Sequence, residues 1–493
     1  MDHVVGFGLS GVRRGGGDAG AASLAAHRLP ERWATALRAY DRRVSISGRV
    51  VTVVRRRARW VRRALAIAVS ACALLGAVRL TVPATAGSDG VPIGVKRQLT
   101  FLRAALHDGA AERGQQAFPE GYFFLHALYG LAWVEVGMRE PGGTPAEAVR
   151  EARWVLQRLD SPTGRAPFSA DLLPSYGVFY RGWSNWLRGG MLSLQPVADR
   201  DPQEVRRFED DSAALASAFD ASPSPFLAAY PGQAWPVDST VAMASLRLHD
   251  RLFPARFAGT VGRWTGGVRR HLDPGTGLLP HRVDLDTGQP TGPARGSSQS
   301  IIQRLLVEID PSFAADQYLR FRDRFVVRPL GLGPGVREYP RGTDGPGDVD
   351  SGPLLLGVSL SASVVTIGAA QVHGDSPLAS ALANYVELAG LPVDTPWTKR
   401  YALGQLPIGD AFLAWSKTAR PWTAPTPPAP PRTVPWWWQL PLLALLTGLG
   451  TLPWLPTLRR RFRHPGARPG PAGEIDNPPS TAPTQHARLD TRP

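Results

Sequence analysis

Two tripeptides in this 493-residue chain place a carboxylate where acid–base chemistry could sit: Val237-Asp238-Ser239 and Val349-Asp350-Ser351. Two carboxylates facing each other across a cavity are what glycosidic cleavage requires. One protonates the leaving oxygen, and the other serves as base or nucleophile. Asp and Ser are also good helix N-caps, because their side chains accept hydrogen bonds from free backbone N–H groups, so capping is the competing reading for each Asp. The approach to Asp350 weakens that alternative. The stretch Gly333-Pro-Gly-Val-Arg-Glu-Tyr-Pro-Arg-Gly-Thr-Asp-Gly-Pro-Gly-Asp-Val-Asp350 is glycine-rich yet dense in charge, and it carries Arg337, Glu338 and Tyr339. Binding residues concentrate on loops of this kind held by a rigid scaffold.

Other side chains join the candidate list. Trp235 and Tyr176 could stack on sugar rings, as could Tyr180 and Trp183, although aromatics at helical spacing are more often packing. His281 is a candidate general base or else a loop histidine, and Gln299 a candidate polar contact. Glu120, Tyr122, Ser297, Asp348, Ser351 and Asp410 stand at comparable places before apolar helices. Neither a metal nor a cofactor is expected. The histidines lack H-x-x-x-H or H-E-x-x-H spacing, and there is no Walker A loop, strand-linked G-x-G-x-x-G or G-x-S-x-G elbow. The only cysteine, Cys72, lies in an apolar run, so the rest of the chain has no thiol nucleophile and no disulfide.

These residues must be positioned by helices, since the pattern between residues 85 and 420 is helical with few runs of β-branched alternation. Proline suits a first helical turn, and it recurs before apolar segments at Pro119, Pro174, Pro236, Pro353 and Pro407. The gaps are about 55, 62, 117 and 54 residues; the third is a doubled period whose missing member falls near Ser297. Six more polar, amphipathic segments alternate with these, near 96–112, 145–159, 202–219, 255–271, 313–325 and 377–388. Six pairs of outer and inner helices describe a mostly α fold, an (α/α)6 toroid of six helical hairpins. An irregular helical domain or a solenoid is the alternative.

The alternation resembles the six-hairpin glycosidase-like superfamily. So does Asp273-Pro-Gly-Thr-Gly-Leu-Leu-Pro-His-Arg-Val-Asp284, which is similar to the Asp-x-x-Thr-Gly-Leu loop joining a helix pair in that superfamily. The resemblance covers most of residues 93–417 and implies the toroid, with glycoside hydrolases, polysaccharide lyases and linalool dehydratase-isomerase-like proteins among its members. The last group uses pocket cysteines, which this region lacks.

Charge and hydropathy set the surroundings. Formal net charge is +15, but it sits at the ends: residues 1–63 carry fourteen Arg and four acids, residues 456–493 seven Arg and three acids. The remainder is nearly neutral, with 35 basic and 34 acidic residues, so nucleic acid is not an expected partner. The chain reads as a basic disordered cytosolic tail (1–60), a transmembrane helix (61–84), an extracytoplasmic domain (85–420), a Pro-rich linker (421–435), a second transmembrane helix (436–458) and a disordered cytosolic tail (459–493). Each apolar run is about 20 residues, enough for a bilayer core. Arg clusters before the first and after the second put both termini in the cytosol of a two-pass cell-membrane protein. Ala84-Thr85-Ala86 would also suit a signal-peptide cleavage site, but the segment before the apolar run is long for one. The expected partners are the lipid bilayer and a glycan, lipid-linked or other small polar ligand. The function reads as an envelope hydrolase or lyase using paired carboxylates, or else a non-catalytic ligand-binding or scaffold protein.

Overall fold

A computed structural model describes residues 31–84, 90–92, 94–139 and 145–456, with side chains from residue 56 onward. The chain divides into two compact units, Met1–Ala68 and Val69–Pro493. Helix α1 (Glu31–Thr81) accounts for the described part of the first. Residues 31–60, expected to be disordered, are therefore helical. Arg, a good helix former, is the commonest residue of this stretch, followed by Val and Ala; it has no proline, and Gly48 is its one glycine. The rest of the expected disordered tails, 1–30 and 457–493, lies outside the described residues.

The second unit continues with α2 (Val95–His107), α3 (Ala110–Ala117), α4 (Gly121–Arg139), α5 (Pro145–Leu159), the single turn α6 (Pro162–Arg165), α7 (Gly177–Ser193) and α8 (Pro202–Ala221). Then come α9 (Pro236–Leu252), α10 (Ala258–Arg270), α11 (Gly296–Ile309), α12 (Pro311–Phe325), α13 (Leu360–Val372), α14 (Ser376–Ala389), α15 (Pro407–Lys417) and α16 (Leu440–Thr451). The protein is mostly helical. A small antiparallel sheet, β1 (Val326–Val327), β2 (Gly335–Arg337), β3 (Leu354–Leu355) and β4 (Val358–Ser359), runs in the order β1-β2-β4-β3 and fastens the long loop before α13.

Helices α4, α7, α9, α11, α13 and α15 form one set, each packed on the next, with α15 packed on α4. Small residues allow the approach: a Cβ on Gly182 of α7 would lie 3.1 Å from the backbone of Ala242 on α9. Helices α2, α5, α8, α10, α12 and α14 pack on this set from outside; the first five keep one face exposed, whereas α14 is exposed only at its ends. Three of them start with an Asp cap and a proline in the first turn. Asp201, Asp310 and Asp375 accept from the backbone N–H of Gln203, Phe313 and Leu378, which satisfies donors the helix leaves free.

The inner helices run side by side in one sense. At their N-terminal ends Val178 N–H donates to Ala228 O (3.0 Å), and Tyr230, just before α9, donates to Glu120, just before α4. Their C-terminal ends meet in a buried polar knot. Arg304 of α11 donates to Glu135 of α4 (2.6 Å) and to Trp415 O of α15 (2.8 Å), with its guanidinium 3.5 Å from the Trp415 ring centroid. Thr418 completes Glu135 at 2.7 Å, and Glu308 accepts from the backbone N–H groups of Trp422 and Thr423. The C-terminal ends are thereby sealed.

The expected helix entrances fall within about three residues of α4, α7, α9, α11 and α15. Pro353 is the exception. It follows Gly352 (φ +64°) and leads into the β3–β4 hairpin, turned by Leu356 and Gly357 at φ +52° and +76°, and α13 starts only at Leu360 with Ser359 as its cap. Of the two apolar ends, the second differs from expectation. Helix α1 has an apolar portion, Arg56–Thr81, long enough to cross a membrane, the one such helix among the described residues. The expected second span gives α16 plus a 3-10 turn, Leu440–Trp454. At 1.5 Å per residue that is about 22 Å, because Trp436–Gln439 form a turn and Pro453 tightens the other end.

Candidate active site

Asp238 lies in the first turn of α9 and is buried. Pro236 takes the first position of α9, so Trp235 is its N-cap and Asp238 stands inside the first turn. The carboxylate does not cap its helix. It is 4% exposed, and burial, then the charges of Asp350 and Glu120, push its pKa well above the ordinary carboxylate range. The indole N–H of Trp183 on α7 opposes this shift, although it falls short of a full hydrogen bond to any acceptor.

Asp350 reaches the same place from the loop between β2 and β3. Its backbone is held by a donation from its own N–H to Asp348 Oδ1 (3.1 Å) and by Ser361 Oγ donating to its carbonyl (2.5 Å). It too caps no helix. The side chain is open to solvent yet crowded by protein, and its pKa is raised by that crowding, then by Asp348 and Glu120, against the pull of Arg295. Glu120 is half-buried and accepts from Tyr230, whose own ionisation is suppressed by burial and by these carboxylates. Glu120, Asp238 and Asp350 thus feel one another's charge at one end of the helix set. Among the described residues, no cluster of three or more His, Cys, Asp or Glu side chains is arranged to hold a metal ion.

The remaining candidates sort by what they touch. Trp235 is half-buried beside this group, edge-on to Tyr230 at 5.5 Å, with Arg282 at 5.7 Å from its ring. His281 pairs through Nδ1 with Ser298 Oγ at 2.6 Å, and burial first, then Arg295, pushes its pKa down to about 4. A neutral imidazole is what that environment favours.

Four of the loop and helix candidates are committed to structure. Gln299 is fully buried and donates to Leu279 O (2.6 Å) while accepting from Gln303. Glu338 is also fully buried; it accepts from Ser297 N–H (3.1 Å), Ser297 Oγ and Arg295 Nε (2.7 Å), and so caps α11 from a distant loop. Arg337 is tied to Asp344 and to the carbonyls of Tyr339 and Thr343. Tyr339 donates to Pro346 O and packs on Arg295. These residues shape the loop that delivers Asp350 and leave little free for a ligand. Tyr176 sits between Arg165 and Arg181 at 5.3 and 5.7 Å, in packing contacts with Tyr180. Asp410, at the start of α15, is buried and accepts from Tyr401 N–H and Gln98, inside a network with Glu387, Lys399 and Lys417.

Tyr230 and Arg295 escaped the sequence reading. Arg295, which bridges Glu338 and Asp348 (2.7 and 2.5 Å), immediately precedes α11 and could have been found as a basic residue at a helix entrance. The Asp-x-x-Thr-Gly-Leu segment is a turn: Asp273 accepts from Thr276 N–H and Oγ1 (3.0 and 2.5 Å), and Gly277 adopts φ +69°. No protein-family model matches this sequence, and no curated protein shows significant similarity to it.

Proposed function

We propose that residues 85–420 form an extracytoplasmic (α/α)6 toroid, anchored by α1 and α16, that cleaves a glycan or lipid-linked polyhydroxylated substrate between Asp238 and Asp350. The succession of six inner helices with α15 against α4, and the outer helix on each, supports the toroid. The contact of α16 with α1 supports the anchor. Ser70 donates to Gly450 O (2.7 Å) and accepts from Trp454 Nε1 (2.9 Å), and Ala73 lies 3.2 Å from where a Gly450 Cβ would stand. Small residues with a polar clasp are how helices pair in lipid. The Arg clusters outside both apolar segments support cytosolic termini, and the near-neutral remainder gives nucleic acid no footprint.

One observation carries the chemistry: Asp238 is a buried carboxyl that caps nothing and whose pKa, raised first by burial, is raised further by the charges of Asp350 and Glu120. Burial keeps its proton, so Asp238 donates to the leaving oxygen as the C–O bond breaks. Water attacks the carbon and passes its proton to Asp350. Asp238 ends ionised and Asp350 protonated; a proton exchanged through solvent resets both. Trp235 offers a face for a sugar ring.

The test is to incubate full-length protein in detergent with polysaccharides and lipid-linked saccharides and to measure new reducing ends. Asp238→Asn and Asp350→Asn should each lower turnover by about 100-fold or more with the thermal midpoint unchanged. Glycan binding without cleavage by the unmodified protein would replace this reading with the non-catalytic binding or scaffold role.

A further inference from the structure

Leucine is a poor choice for the tip of a solvent-exposed turn with a left-handed backbone, since its Cβ is crowded there and glycine or asparagine serves better. This chain makes that choice four times. Leu330, Leu356, Leu391 and Leu403 have φ of +53°, +52°, +48° and +56°. Their side chains are 84%, 59%, 61% and 58% exposed. Each adjoins a glycine in sequence: Gly331, Gly357, Gly390 and Gly404. That backbone strain is not offset by burial of the side chains within the protein.

Three of the tips, Leu330, Leu391 and Leu403, lie by the foot of the two apolar helices, and the fourth, Leu356, lies on the small sheet that also carries β1. Arg328, two residues before Leu330, lies 4.6 Å from the Trp437 ring that leads into α16. Arg79, near the end of α1, donates to Pro392 O beside Leu391 (3.1 Å), and the Leu391 and Leu403 turns are joined by Ala402 N–H to Gly390 O (2.8 Å). Asn384 and Gln439 both donate to Leu80 O, at 3.0 and 2.9 Å. Above this foot, Leu74 of α1 and Leu445 of α16 project outward, continuing the apolar surface. On the other side the Leu356 hairpin is continuous with the candidate site: Ser359 and Ser361 at its base hold the carbonyls of Ser351 and Asp350 (2.9 and 2.5 Å).

We propose that these leucine tips dip into the outer leaflet, so that the carboxylate end of the helix set opens at the bilayer surface. Its substrate is then an amphiphile whose apolar tail stays in lipid while the polar head reaches Asp238 and Asp350. This rests on the membrane-anchored reading above. Continuity with the exposed apolar faces of α1 and α16 selects lipid, rather than a protein partner, as the occupant.

Full-length protein with Cys72→Ser tests it, reconstituted in nanodiscs of equimolar phosphatidylcholine and phosphatidylglycerol. Single substitutions Leu330→Cys, Leu356→Cys, Leu391→Cys and Leu403→Cys carry an environment-sensitive NBD label. Leu74→Cys on α1 reports on the anchor, and Val197→Cys, an exposed site just beyond the C-terminal end of α7, reports on water. The four loop labels should shift to the blue and lose most of their emission to lipid-borne doxyl quenchers, as Leu74 should, while Val197 stays water-like. Quenching at Leu74 with water-like emission at all four tips would overturn the proposal and leave the anchor standing. Water-like emission at Leu74 as well would overturn both. Because no turnover is measured, neither result depends on the carboxylate chemistry.

Discussion

Replacing Arg304 with methionine removes the cation from the sealed end of the inner helices. Glu135, 2% exposed, would then keep only the Thr418 hydroxyl at 2.7 Å as a donor, and Trp415 O would lose the guanidinium, keeping only a contact with that same hydroxyl at 3.1 Å. Stranding one member of a buried ion pair costs about 3–5 kcal/mol. Unfolding entropy near 2.1 cal/mol/K per residue gives about 0.7 kcal/mol/K for a folded unit of about 330 residues. Arg304→Met should therefore lower the thermal midpoint by about 4–7 °C, followed by circular dichroism of the detergent-solubilised protein at several scan rates. Glu135→Met with Arg304→Met removes both charges and should recover most of the loss, since well-packed apolar side chains often replace buried pairs at little cost. A single variant melting within about 1 °C of the parent, or a double variant no better than the single, would refute the reasoning.

Glu387 is held down to about 2 by Lys417 and then Lys399, against its burial. A folded value below the unfolded 4.5 stabilises above that pH and is lost as pH falls toward 2, so Glu387→Gln should cost roughly 3 kcal/mol near neutrality and little at the acid end. Burial of Lys417 lowers its own pKa and subtracts from that benefit. Asp410 has the opposite sign: burial pushes it up to about 7. Its contribution is complete below about 3.8 and is lost as pH rises through about 7, so denaturant titrations should show the parent losing up to roughly 4 kcal/mol relative to Asp410→Asn over that window. Asp273→Ala should cost about 1–2 kcal/mol through the lost turn hydrogen bonds, with turnover unchanged.

The helical framework was legible because its signals are local. Asp-Pro at 201–202 and 310–311, and Asp375 with Pro377, announce outer helices whose caps lie within three residues, and Pro236 and Pro407 open inner helices where the spacing put them. Pro353 misled because proline suits a strand entrance as well as a helix start; the positive φ of Gly352 and Gly357 decides between them. The non-capping role of Asp238 was also readable, since a proline at the first helical position hands the cap to the residue before it. Commitment of loop residues was not readable. Glu338 looks like a ligand in a glycine-rich loop, and only its pairing with Ser297, 41 positions away, reveals a buried cap. Tyr230 meets Glu120 across 110 positions, and no local pattern advertises that. Likewise the Arg clusters mark the flanks of both apolar runs, but the second helix is shortened by its prolines and the turn before it.

The central claim is that Asp238 and Asp350 act on each other across one site, and infrared difference spectroscopy of the titrating carboxyls tests it most directly. At neutral pH the parent should show a protonated-carboxyl C=O band that is absent from Asp238→Asn. In Asp350→Asn the same band should persist but titrate at lower pH, because a negative charge that raised the Asp238 pKa is gone. A parent spectrum without that band, or an Asp238 titration unmoved by Asp350→Asn, would contradict the account.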